Sequence, residues 1–261
     1  MAPSTISGVN HLPEAEKRQI YARILPPVLL MRFNLSLERL ATPDSPLLQL
    51  TAPAGSTTAE MALFHEPGFP DPVLYGHITD TLNGQLHILL YVLNDPDAPR
   101  FEVDRMPDGS PTKFGILQRN LPAEQAALQA GLAPGQVRRG LRMLGEAITG
   151  FEDFVASLGH DLYFVEPLYY HVAITFERYG FAYARGRRQM EEINTGFEPG
   201  NALSQQLDDS TPFRAPSAAR SIRRRSWAIH DGILGAPFTN VTMYKRIRQH
   251  AEVVTCTGCT W

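Results

Sequence analysis

Apolar residues in the first half of the chain come in short runs broken by turn residues. In the second half they recur every three or four positions. Glu60–His65, Val73–Thr81 and Gln85–Leu93 have the length and content of strands, and the Asn83-Gly84 pair between the last two supplies the positive φ of a hairpin turn. Arg100–Asp104 and Lys113–Gln118 read as further short strands around a Pro107-Asp108-Gly109 turn. Ahead of them, Pro13–Ile24 reads as a helix stopped by Pro26-Pro27, and Val28–Leu35 as an apolar strand. Asn120 is the expected cap of a helix Leu121–Ala130 closed by Gly131.

The clearest periodic signal follows. Val137, Leu141, Leu144, Ile148, Phe151, Val155 and Leu158 step by four and three, which predicts an apolar stripe on a helix of about six turns ended by Gly159. Arg138, Arg139, Arg142, Glu146, Glu152 and Asp153 fall off that stripe. Asp161–Val165 reads as a buried strand. Pro167 opens a second helix with Leu168, Val172, Phe176 and Tyr179 on one face and Gly180 as its stop, and Phe181–Ala184 starts another strand. Gly186–Arg225 is polar, with Arg187–Ile193 its one helical stretch. Ser226–Ile229 and Val241–Ile247 read as closing strands, and the last dozen residues are expected to fray.

These elements predict a single α/β (α+β) domain built on a mixed, mostly antiparallel central sheet flanked by helices. Residues 1–59 form an N-terminal extension, 60–184 the core, 185–240 a long insertion, 241–250 the closing strand and 251–261 a tail. A net charge of −3 gives no bulk attraction for nucleic acid. No apolar run approaches the roughly 20 residues of a membrane helix. Residues 1–10 lack the pattern of a signal peptide, and two cysteines, Cys256 and Cys259, point to a cytoplasmic setting.

Two stretches, Pro134–Leu144 and Val165–Phe181, carry a resemblance to the GNAT superfamily of N-acetyltransferases. The resemblance implies an acyl-CoA N-acyltransferase-like protein that takes acetyl-CoA or another acyl-CoA as co-substrate and a small-molecule amine as acceptor. It involves no nucleic acid and no membrane, and it admits a homodimer. It implies a diphosphate cradle at Gln136, Val137, Arg138, Arg139, Gly140 and Leu141, where amides opening a helix favour an anion. The position at which the family often carries a thiolate-protonating tyrosine is Phe176, which has no hydroxyl, so Tyr179 becomes the candidate acid. Glu166 and His171, at the strand-to-helix corner, are the candidate bases. Helix starts and solvated side chains account for the same residues without chemistry.

Two other readings remain open on the sequence. One is a non-catalytic member of the same fold that binds through the long 184–240 segment. The other is a metal site from His77, Asp80 and His87, joined by His65 or His230-Asp231, if the two hairpin histidines face each other. Arg220–Arg225 reads as a solvated loop that could hold phosphate. Cys256-Thr-Gly-Cys259 has redox-type spacing within an expected frayed tail.

Overall fold

The computed structural model describes residues 3–40, 42, 45–115 and 117–261. In chain order the elements are α1 (Ile6–Asn10), α2 (Glu14–Tyr21), a 3-10 turn (Ala22–Ile24), α3 (Pro27–Arg32), α4 (Leu37–Leu40), β1 (Leu48–Thr51), β2 (Thr58–Leu63), β3 (Leu74–Asp80) and β4 (Leu86–Leu93). Then come α5 (Leu121–Gln129), α6 (Leu144–Ser157), β5 (Leu162–Val165), α7 (Tyr170–Arg178), β6 (Ala182–Arg185), α8 (Arg187–Gly196), α9 (Ala202–Gln205), a second 3-10 turn (Pro216–Ala219), α10 (Ile222–His230) and β7 (Thr242–Arg246). Among the described residues the strands pair in the order β1-β2-β3-β4-β5-β7-β6. The fold is α+β, with a mostly antiparallel sheet flanked by helices. No helix among the described residues is long and apolar enough to cross a membrane.

The chain packs as two compact units. The first comprises residues 1–96, 140–166 and 244–250, and the second 97–139, 167–243 and 251–261. In the first unit β1 to β4 form an antiparallel meander. Its β3–β4 turn is the expected one: Gly84 takes φ +74° and its amide donates to Thr81 O. Leu48, Met61, Leu63, Leu74, Ile78 and Leu86 are buried beneath the sheet with Phe151, Phe154 and Val155 of α6. Asn10 lies buried under that layer. Its amide donates to Ser56 O and Thr58 O, and its carbonyl accepts from Tyr21, so its own side chain is fully bonded.

The second unit is built around Trp227. Its ring is fully buried and stacks on Phe213, its indole N–H donates to Leu132 O at 2.8 Å, and Val103, Ala127 and Leu132 complete the cluster. α7 and α10 pack against one another. Asn120 caps α5 as expected, accepting from Ala123 N.

Several expected elements are corrected. The expected strand Val28–Leu35 is instead helix α3 up to Arg32 and then a turn, because Pro27 at the helix's first position presets helical φ and Leu29 and Leu30 turn inward while Val28 and Met31 stay exposed. Arg100–Asp104 and Lys113–Gln118 form no strand among the described residues; an isolated Arg105–Pro111 bridge lies between them, and Ile116, in the second, lies outside the described residues. Ser226–Ile229 belongs to α10, where Ser221 caps by accepting from Arg224 N. The 184–240 stretch holds α8, α9 and α10 where the sequence suggested one helix. The tail is tied down. Cys256 and Cys259 form a disulfide, Thr255 donates twice to Glu177, and Thr260 pairs with Ser221.

Candidate functional site

The long helix expected from Val137 starts seven residues later. Arg142 sits at φ +58°, a left-handed conformation that no helix interior accommodates, so α6 opens only at Leu144. Val137 packs against the Trp227 cluster, and Leu141 is buried. The residues expected to cradle a diphosphate therefore do not open a helix. Gln136 closes on itself: its side-chain carbonyl accepts from Ala133 N at 2.8 Å and its amide donates to Ala133 O. Val137 O accepts from Phe101 N, Arg138 is buried and donates to Ala98 O, and Arg139 is exposed.

The open donors lie further along. From Gly140 to Glu146 the backbone amides have no acceptor within the protein among the described residues, and the Met143 cap offers no side-chain hydrogen bond. This run ends at the positive end of a 14-residue helix. Arg142 is exposed within it and contributes positive charge. Glu146, in the first turn and also exposed, offsets part of that field.

In the same unit β4 pairs in parallel with β5 over three positions among the described residues, Leu86 with Tyr163, His87 with Phe164 and Ile88 with Val165. A bulge then shifts the β3–β4 register between His77 and Ile78, so that Leu89 has no opposite residue. Beyond it, Leu89–Leu93 has no registered partner on the β5 edge, and β5 gives way to the exposed Glu166. β5 ends at Val165, so β4 runs on past it and the Leu89–Leu93 backbone has no strand partner on that side among the described residues.

His87 holds the middle of the three paired positions. Its Nε2 is buried without a hydrogen-bond partner among the described residues, and the edge of its ring meets Phe164 at 6.3 Å. Burial pulls its pKa below the usual histidine value, and the Glu166 charge works in the opposite sense. The sequence offered His87 as a metal ligand opposite His77. That pairing is overturned, because His87 faces Thr79 and His77 faces Leu90. Asp80 is committed elsewhere, accepting from Ile6 N at 2.7 Å and Ser7 N at 2.8 Å. Among the described residues no group of three or more His, Cys, Asp or Glu side chains is arranged to hold a metal.

The remaining candidates belong to the second unit. His171 is buried on α7, its Nδ1 2.9 Å from Ser226 Oγ and its ring stacked on Tyr169. Burial first, then the Arg223 charge, pulls its pKa down to about 3, so it is neutral near pH 7 and closed to solvent. Phe176 packs against Phe181 with ring centroids 4.7 Å apart, and Tyr179 ends α7 exposed.

Sequence reasoning missed a charged network in this unit. Arg119 holds Glu124 at 2.5 Å and Asp231 at 3.0 Å, Arg214 holds Asp231 at 3.0 Å, and His230 Nε2 lies 3.2 Å from Glu124. Burial pushes the Glu124 carboxyl up, but His230 and Arg119 outweigh it and hold it below the usual range. Gly135 closes against this group: a Cβ there would meet the Tyr169 ring at 2.5 Å, and its φ is +79°. The partners lie up to 112 positions apart in sequence, and no local pattern signals them. Set against known proteins, the chain matches no protein family, no curated protein and no solved structure, so its reading rests on this geometry.

Proposed function

We propose that the first unit binds the diphosphate end of an acyl-CoA and passes the acyl group to an amine. The observation that carries this reading is the open run of amides from Gly140 to Glu146 at the N-terminus of α6, in a unit where β4 runs on past the end of β5. Amides at a helix start, with Arg142 beside them, suit a diphosphate. The free edge of Leu89–Leu93 suits the amide-bearing pantetheine arm, which can add to a strand edge by hydrogen bonding. The strand order and the helices on either side of β5 agree with the resemblance carried by residues 134–181.

In this reading the amine nitrogen attacks the thioester carbonyl, the carbon–sulfur bond breaks, and CoA leaves as its thiolate. Glu166, exposed at the end of β5, accepts the amine proton, and His87, kept neutral by its surroundings, is the second group able to do so. Positioning supplies most of the acceleration. His171 and Tyr179 have no part in this reading, His171 because it is buried on Ser226.

Thermal unfolding with and without acetyl-CoA tests it. A ligand at 100 times its Kd stabilises the folded state by about 2.7 kcal/mol, which moves the melting temperature by several degrees. Arg142→Glu is expected to remove the shift while leaving the unliganded protein folded. No shift at millimolar acetyl-CoA with the wild-type chain would end the proposal. A shift without acyl transfer to any amine would leave a CoA-binding protein and remove Glu166 from its assigned role.

A further inference from the structure

The disulfide between Cys256 and Cys259 has two unlike sulfurs. Cys256 is buried, and its Sγ accepts from Tyr170 Oη and from Arg225 Nη1, each at 3.2 Å. Cys259 is half-exposed, and Gly258 beside it has open space where a side chain would stand. Arg225 is only 4% exposed. Its other partners are neutral: Ala219 O, the Asn194 side-chain carbonyl at 2.8 Å and the face of Phe197. No carboxylate pairs with it among the described residues. Glu177, which like Arg225 acts on Tyr170, is taken up by Thr255 and Tyr183.

A buried guanidinium without a counter-ion is costly. The one group touching Arg225 that can become an anion is Cys256 Sγ, and it does so only when the disulfide opens. We infer that Cys256 and Cys259 form a thiol–disulfide exchange site in which a dithiol attacks the accessible Cys259 sulfur and Cys256 is released as a thiolate onto Arg225 and Tyr170. The attacking thiolate forms a new sulfur–sulfur bond to Cys259 while the Cys256–Cys259 bond breaks, and the electron pair leaves on Cys256. The second thiol of the same dithiol, deprotonated, then displaces Cys259. The protein disulfide has gained two electrons and the dithiol has become a disulfide. A leaving thiol of low pKa leaves faster, and an adjacent cation lowers that pKa.

The flanking anchors leave room for this step. Thr255 is fixed by Glu177 on one side. On the other, Thr260 pairs with Arg220 and Ile222, and Trp261 lies beneath Arg178 and Arg223. Reduction therefore opens a short link between two held points.

The experiment uses the full oxidised chain with dithiothreitol as the dithiol, following thiol appearance by alkylation and mass. The wild-type disulfide is expected to reduce in the folded state. In Cys256→Ser, Cys259 forms a mixed disulfide with oxidised glutathione, whereas Cys256 in Cys259→Ser reacts slowly because it is buried. Arg225→Gln is expected to slow reduction about tenfold and to raise the pH at which the Cys256 thiolate absorbance appears, with Arg225→Lys restoring part of both. Tyr170→Phe keeps the ring and removes one donor, so it must slow reduction as well, even if Arg225→Gln fails to fold. Reduction only after unfolding in urea would overturn the inference, as would folded Arg225→Lys and Tyr170→Phe proteins that reduce at the wild-type rate with an unchanged thiolate profile.

Discussion

His171 shows how little a residue's position in sequence says about its chemistry. It stands one turn past a strand-to-helix corner, which is where a general base would be sought, and the sequence reading placed it there. Its imidazole is instead enclosed by Ser226 and Tyr169, with Arg223 contributing like charge, and Ser226 lies 55 positions away. The consequence is measurable as stability. Its folded pKa is pulled down to about 3, against about 6.5 in an open chain. Between those values the unfolded chain binds a proton that the folded chain refuses. The stability that comes from a neutral His171 is therefore complete above about pH 6.5 and is lost as pH falls toward 3. The slope approaches about 1.4 kcal/mol per pH unit. Urea unfolding of wild type and His171→Gln across pH 7 to 4.5 checks this: the free-energy gap between them should narrow at up to that rate. A gap that stays constant with pH would show that His171 does not carry the effect. Glu166 was legible for the opposite reason. It follows an apolar strand directly, so its exposure depends on nothing distant.

At the scale of elements, the sequence resolved what local physics decides. The antiparallel meander, the Asn83-Gly84 turn, the α5 cap and the strand before α7 all appear. It failed where distant packing or an unusual φ overrides the pattern. The stripe from Val137 to Leu158 is regular in spacing, yet its first two members lie outside the helix because Arg142 adopts a left-handed conformation. Glu152 falls off the stripe. It is buried, because β7 brings Lys245 Nζ to 3.6 Å from its Oε1 and the Arg248 amide to 2.8 Å from its Oε2. Both side chains of the pair are at most 10% exposed. Removing one partner leaves a buried charge opposite an apolar group, which costs roughly 3 kcal/mol or more, while removing both charges costs far less. Lys245→Met should therefore lower the urea midpoint strongly, and Glu152→Gln added to it should recover part of the loss. Strict additivity in the double-mutant cycle would show that the pair is not coupled.

At the scale of the whole molecule, connectivity constrains what can fold. The chain passes between its two compact units after residues 96, 139, 166, 243 and 250, so neither unit is one continuous segment. Most of the first unit is complete by Glu166, including β1 to β5 and α6. What it then lacks is Tyr244–His250, which supplies Lys245 to Glu152, the Ile247 amide to Asp161 O and the Arg246 side chain to Asp161. A chain stopped at Glu166 leaves Glu152 buried without its cation and β5 with an unpaired edge. It is expected to show no cooperative unfolding transition by tyrosine near-ultraviolet circular dichroism. A chain stopped at His250 lacks only Ala251–Trp261 and keeps the whole first unit, so it should show that transition for the unit's tyrosines, Tyr21, Tyr75, Tyr91, Tyr163 and Tyr244. If the shorter chain unfolded cooperatively at the same urea midpoint as the longer one, Tyr244–His250 would be dispensable to the first unit. The Glu152–Lys245 pair would then have to be peripheral to its stability.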